Sequence, residues 1–237
     1  MKKIYHHLGT IESTQTHAKQ QLAFLDPQAL TIFSADSQTK GRGRFERPWH
    51  SPPNVNLYVT FCFTLPPNHP PAHNITQIIA LCLCKLLKNM DVKIKWPNDL
   101  LSQKKKIGGI LSELISTQHQ WMLCGVGLNI NATSEELKNI DQAATSILEQ
   151  TNQLTDRSIL LDELSDSLID MLAIFFKEGF APFLQEYRDF CLHQIGDLIY
   201  FNKAEPMQFR GIDTDGALLV QNKEGKKEKH YSGTLVT

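Results

Sequence analysis

Apolar residues recur along this chain at two spacings, and these divide it into elements. Ile75, Ile78, Ile79, Cys82, Leu83, Leu86 and Leu87 follow i, i+3, i+4, i+7, which predicts a helix with one buried face. Asn74 and Gln77 at its start have the spacing of a capping box. Leu161, Leu164, Leu168, Leu172 and Phe175 predict a second long helix over Arg157 to Lys177, ended by Gly179 and Pro182, with a short helical piece over Phe183 to Phe190. Ser13 as N-cap, with Ala18, Leu22 and Leu25 on one face, predicts a shorter helix through Leu25.

Strand composition marks Leu30 to Ala35, Asn56 to Phe63, Val92 to Trp96, Ile107 to Ile115 and Trp121 to Ile130. In the last, Met122, Cys124, Val126, Leu128 and Ile130 share one face, and Gly125, Gly127 and Asn129 occupy the other. The pattern changes near Ile195. From there, short β-like runs (Leu198–Phe201, Gln208–Ile212, Leu218–Gln221, Lys229–Tyr231) alternate with turns such as Asp213-Thr214-Asp215-Gly216. They predict a small β-barrel of about 40 residues, too small to be stable alone. The expected organisation is a larger domain over 1–190 and a smaller one over 191–237.

Composition narrows the function classes. With 41% apolar and 21% charged residues, the 237-residue chain can bury a sizeable core. A formal net charge of −1 argues against nucleic acid or an anionic membrane as a partner of the whole surface. No apolar run reaches the length of a membrane span, and no signal-peptide core follows the N-terminus. The five cysteines are scattered among apolar neighbours without a CxxC pair, which suits buried thiols in the cytoplasm. The nine histidines have no metal-ligand spacing, and no GxSxG, HExxH, Walker or GxGxxG unit occurs.

Candidate chemistry sits in five segments. Gly41-Arg42-Gly43-Arg44-Phe45-Glu46-Arg47-Pro48-Trp49 combines two glycines, which allow close backbone approach, with guanidinium forks suited to phosphate or carboxylate and an indole face. Lys95-Trp96-Pro97-Asn98-Asp99 ends a strand in turn chemistry, where Asp99 could orient a magnesium–nucleotide complex. Lys106 precedes Gly108-Gly109, so its ammonium borders open space and could reach an α-phosphate or a carboxylate. Gly125-Val126-Gly127-Leu128-Asn129 offers a glycine side on which a ligand could lie, with Asn129 as a hydrogen-bonding group. Glu12-Ser13-Thr14-Gln15 opens a helix and could hold a small polar head group. Taken singly, each segment also suits an ordinary turn, cap or solvated loop.

Taken together and in this order, with Gln38 three residues before Gly41, the segments resemble the biotin protein ligases. Gly211-Ile212-Asp213, Gly216 and Ser232-Gly233 extend the resemblance through the tail. It implies an α+β fold: a mixed, mostly antiparallel sheet with helices, related to class II aminoacyl-tRNA synthetases, plus a C-terminal SH3-like barrel. It also implies formation of biotinyl-5′-AMP from biotin and magnesium-ATP, then transfer to a lysine of a biotin carboxyl carrier protein. Ser13, Thr14, Gln15, Gln38, Gly41, Arg42, Gly43, Arg44 and Lys106 would bind biotin. Arg42, Arg44, Trp49, Asn98, Asp99, Lys106 and Asn129 would bind ATP, with Mg²⁺ near Asp99 and Asn129. Lys106 and Arg42 would be catalytic, Lys106 by holding both the carboxylate and the α-phosphate.

The sequence departs from the family pattern in three places. Gln15 stands where Asn is common, and Phe45-Glu46 replaces an Arg-Gly pair. Twelve residues precede Ser13, so neither an N-terminal DNA-binding module nor a repressor role is expected. Homodimerisation through an exposed sheet edge stays open. Two rivals remain: a lipoate or octanoate ligase or transferase of the same fold, and a biotin-binding regulator without turnover.

Overall fold

The computed structural model describes residues 1–201 and 205–236. Its main layer is a seven-stranded sheet. Strand β1 (Lys2–Ile11) leads through helix α1 (Thr14–Gln21) to β2 (Ala29–Gln38), and β3 (Leu57–Thr64) precedes helix α2 (Asn74–Leu86). β4 (Val92–Lys95), β5 (Asp99–Ser102), β6 (Lys105–Ser116) and β7 (Gln120–Leu128) complete it, in the order β1-β2-β3-β7-β6-β5-β4. The β1–β2 pair is parallel, because α1 carries the chain back across the sheet, and the other neighbours are antiparallel. The sheet is therefore mixed and mostly antiparallel, as expected.

Two short helices, α3 (Ser134–Leu137) and α4 (Ile147–Thr151), lie in the segment after β7, and the long α5 (Arg157–Glu178) and α6 (Leu184–Phe190) follow. The apolar faces predicted for Ile75 to Leu87 and Arg157 to Lys177 meet one side of the sheet. Ile75, Ile78, Ile79 and Cys82 of α2 and Leu164, Leu168 and Leu172 of α5 are buried with Phe61, Phe63, Met122, Cys124 and Val126. On the opposite side, Ala18 and Leu22 pack with Phe33, Cys62, Trp121 and Leu123 in a smaller cluster. That second side stays open toward β5 and β6, because glycines replace bulky side chains there.

A second sheet follows, formed by β8 (Leu198–Phe201), β9 (Pro206–Ile212), β10 (Leu218–Gln221), β11 (Lys227–His230) and β12 (Leu235–Val236), ordered β11-β10-β9-β8-β12. It is seated by polar contacts on α2 and on Trp96, the residue after β4. Gln77 donates to Gly216 O (2.8 Å), Asn74 to Asp215 O (2.9 Å) and the Trp96 indole to Gly216 O (3.2 Å).

Local expectations are corrected at four points. Asn74 does not cap α2; the N-cap is His73, and Asn74 Nδ2 instead donates to Gln77 Oε1 at 2.7 Å. The pair that looks like a capping box faces the second sheet. The first helix is shorter than Ser13 to Leu25: α1 ends at Gln21, and a 3₁₀ turn covers Leu22–Phe24. β1 has no predicted counterpart. Its sequence alternates weakly because it is an edge strand, tied to α5 by Lys3 to Asp162 and Asp166 (2.6 and 2.7 Å). β5 also went unpredicted, as the far arm of a hairpin whose turn places Gln103 and Lys104 at positive φ.

Candidate active site

The glycine face of β7 forms the floor of a cleft of about 930 Å³, solvent-open mouth included. Sheet register explains where the glycines fall. Gly127 pairs with Gly109 on β6, and Gly109 pairs with Asp99 on β5. Trp49 lies over this cross-strand glycine pair. A Cβ on Gly127 would stand 2.6 Å from Trp49 Nε1, and one on Gly109 3.1 Å from Cζ3. Two glycine motifs that looked unrelated in sequence thus make one platform for the indole. Gly41 is equally constrained, since a Cβ there would meet Trp49 O at 2.7 Å.

At one end of the cleft the groups are mostly neutral and buried. Ser13 caps α1, accepting from Thr16 N (3.4 Å). Gln38 Oε1 accepts from Thr14 N (2.8 Å) and Thr14 Oγ1 (3.2 Å), and Gln38 Nε2 donates to Ser51 Oγ (3.1 Å). Gln15 Nε2 donates to Glu113 Oε2 (2.9 Å) and its Oε1 accepts from Thr60 (3.2 Å). Such fixed amides and hydroxyls suit a neutral, hydrogen-bonding head group.

The other end is cationic. Lys106 Nζ lies 2.8 Å from Asp99 Oδ1 and 5.4 Å from the Trp49 ring centroid. Arg44 donates to Asn98 Oδ1 (3.0 Å) and to Gly233 O (2.8 Å), and burial lowers its pKa, with Asp99 opposing. It remains a cation at neutral pH because guanidinium is so strong a base. Lys95 also lines this end, its pKa lowered by burial. Arg42 Nε and Trp49 Nε1 are buried without an acceptor. Unpaired buried donors cost about 1–3 kcal/mol each, so their presence in a cleft points to groups that a ligand satisfies.

The structure gathers Ser13, Thr14, Gln15, Gln38, Arg42, Gly43, Arg44, Trp49, Asn98, Asp99 and Lys106 around this one cleft. Asn129 is placed differently. The residue is 2% exposed and its side chain donates to Thr145 O (3.0 Å), and Thr145 N in turn bonds Lys106 O (2.9 Å). It acts on the cleft by anchoring the segment that pairs with Lys106. The sequence does not mark Glu113, Ser51 or Thr60, and it marks Gly233 only as part of the tail and not as a neighbour of the cleft. Glu113 was within reach of sequence reasoning, because Gly109, Leu111 and Glu113 alternate along one strand. Gly233 was not, since 189 residues separate it from Arg44. Among the described residues no group of three His, Cys, Asp or Glu could hold a metal ion.

Cations at one end of a cleft and fixed neutral hydrogen-bonding groups at the other suit an enzyme that joins a polar acyl substrate to a nucleotide phosphate. The chain belongs to the biotin/lipoate A/B protein ligase family, whose model matches residues 8–131. It is 31% identical over 221 residues to the bifunctional ligase/repressor BirA of Escherichia coli (strain K12), covering 90% of this chain and 68% of that protein. It is 26% identical over 232 residues to the biotin–[acetyl-CoA-carboxylase] ligase of Paracoccus denitrificans, covering 93% and 95%. The solved biotin protein ligase from Aquifex aeolicus in complex with biotin and ATP superposes with a TM-score of 0.80 at 26% identity, covering 99% of this chain and 97% of that one.

Proposed function

We propose that this cleft makes biotinyl-5′-AMP from biotin and ATP and delivers the biotinyl group to a lysine of a biotin carboxyl carrier protein. The protein is a biotin–protein ligase. The observation that carries this reading is the meeting of a neutral recognition end and a cationic end in one cleft, in a chain related throughout its length to such ligases.

In this reading Ser13, Thr14, Gln15 and Gln38 receive the ureido head, and the acyl tail runs from them toward Lys106. The biotin carboxylate oxygen attacks the α-phosphorus of ATP, the bond to the bridging oxygen breaks, and pyrophosphate leaves. Lys106 contacts both reacting anions and offsets the charge that builds between them, while Asp99 fixes its ammonium. Arg42 and Arg44 close segment 41–49 over the adenylate, and Trp49 supplies a face for adenine. The carrier lysine, as free amine, then attacks the acyl carbon; an amide forms, the bond to phosphate oxygen breaks and AMP leaves. Magnesium enters with ATP, and Asp99 is the carboxylate in the cleft lining that could orient it.

Residues 191–237 form, in our reading, a separate SH3-like domain packed on residues 1–190. The five buried free thiols are consistent with a cytoplasmic protein. DNA and membrane are not among the proposed partners, since net charge is −1 and no described helix is long and apolar enough to cross a membrane. A homodimer would extend the sheet at the outer edge of β1.

The lipoyl and octanoyl alternatives are weaker. An octanoyl transferase needs a thiolate, but Cys62 and Cys124 are buried, and burial pushes the Cys124 thiol up to about 12. Incubation with ATP, Mg²⁺ and either biotin or lipoate separates the readings. Biotin-dependent pyrophosphate release and labelling of a carrier domain are expected, and Lys106→Gln should slow adenylation by about 10²–10³-fold. Adenylate formed from lipoate alone would overturn the assignment. Binding of biotin without transfer to any carrier domain would favour a regulator.

A further inference from the structure

Segment 41–49 places a carboxylate of its own on the guanidinium assigned to phosphate. The segment is a small hairpin: Gly43 N donates to Arg47 O and Trp49 N to Gly41 O, both at 2.8 Å, and Arg42 bridges Pro48. Its turn runs through Phe45 and Glu46, both left-handed at φ 57° and 55°. Non-glycine residues adopt this conformation at a cost, and two in succession are uncommon. The turn brings Glu46 back across the hairpin, its Oε1 2.8 Å from Arg42 Nη1.

The contact continues inward. Arg42 Nη2 faces Glu113 Oε1 at 3.4 Å, Glu113 Oε2 accepts from Gln15 Nε2 at 2.9 Å, and Gln15 Oε1 accepts from Thr60 at 3.2 Å. Glu46, Arg42, Glu113, Gln15 and Thr60 thus form one chain from the outer edge of the hairpin to the cleft floor. Gln15 and Glu46, which both depart from the family pattern, lie on it together. Arg42 carries two carboxylates on its terminal nitrogens while its Nε has no acceptor. A phosphate that takes Nε makes a third anion on one cation, and mutual repulsion favours departure of the more loosely held carboxylate. Glu113 is 28% exposed and held by Gln15, whereas the Glu46 side chain is 77% exposed. An exposed pair contributes only a factor of about two to five, small beside a desolvated phosphate contact.

We propose that Glu46 is a displaceable stand-in for the adenylate phosphate: it holds Arg42 in place over the unliganded cleft and leaves when the phosphoryl group arrives. The inference rests on the reading of Arg42 as a phosphate-binding residue. It makes Glu46 a positioning residue that weakens anionic ligands selectively.

The test titrates the full-length protein with biotinyl-5′-AMP and with biotinol, a neutral biotin alcohol. Glu46→Gln removes the charge and keeps side-chain size, whereas Glu46→Gly would also relieve the left-handed backbone. In Glu46→Gln, Kd for biotinyl-5′-AMP should tighten about two- to fivefold. Kd for biotinol should not change, and the gain should shrink in about 1 M salt. Unchanged or weaker adenylate binding overturns the proposal, as does equal tightening of biotinol. Arg42→Ala should weaken adenylate binding and abolish the effect of Glu46→Gln. If Arg42→Ala binds the adenylate like the wild type, the phosphate reading of Arg42 falls, and the inference with it. If Arg42→Ala is impaired but Glu46→Gln is silent, the inference alone falls.

Discussion

Arg44 shows how one side chain can tie together parts of the chain that sequence keeps far apart. Its guanidinium spans the turn after β4, at Asn98, and the carbonyl of Gly233, so it holds segment 41–49 against the cleft from two sides. Hydrogen bonds from a charged donor contribute about 1.5–3 kcal/mol each. Arg44→Gly should therefore release biotinyl-5′-AMP about 10–100-fold faster. The escaping anhydride would label lysines of a bystander protein, which a streptavidin blot detects; adenylate retention equal to wild type would count against the role. Sequence identified Arg44 by its residue type and its glycine neighbours. It could not supply the partner, because hydrogen bonding across 189 residues leaves no local pattern.

At the scale of elements, the cleft depends on strand register. Gly109 and Gly127 are 18 positions apart, yet antiparallel pairing of β6 and β7 sets them side by side beneath Trp49. Each glycine alone reads as a close backbone approach; the register makes the two one surface. Gly127→Ala would place a methyl group inside the indole. Overpacking of this kind costs about 1–3 kcal/mol. Since the indole must shift, KM for ATP should rise about tenfold while the affinity for biotin changes little. Steady-state kinetics with a change in tryptophan emission checks this, and an unaltered KM for ATP would remove Trp49 from the nucleotide end. Most elements were legible because helix and strand periods differ. β1 and β5 were not, the first being an exposed edge with little apolar contrast and the second a short strand whose first residue, Asp99, reads as part of the turn after β4.

For the molecule as a whole, the decisive contact is between the second sheet and α2. Gly216 sits at φ +80°, and a Cβ there would lie inside contact of Asn74 Nδ2 and Gln77 Oε1. Trp96 and Gln77 both donate to its carbonyl, so the turn is a shared acceptor for two elements of the main layer. Gly216→Ala combines left-handed strain with a clash and should lower stability by about 2 kcal/mol. For a chain of this size that lowers Tm by about 4–8 °C in a thermal melt. Because Gly233 of the same C-terminal region holds Arg44, the variant should also release adenylate faster than wild type. Wild-type retention in a destabilised variant would show that the second sheet supports the fold without holding the lid.

The sequence alone determined four of the six α-helices, most strands and the residue types of the cleft, because hydrophobic period, turn chemistry and charge are local properties that neighbouring residues report. It also marked Gln15 and Glu46 as unusual. Tertiary structure decided which of these residues meet: the glycines under Trp49, Asp99 on Lys106, Gly233 on Arg44, and Asn129 turned away to hold Thr145. It also joined Gln15 and Glu46 through Glu113 and Arg42. The physical reason is that register and domain packing are set by the summed burial of whole faces. A pairing between distant side chains follows from that sum and is written in no single segment.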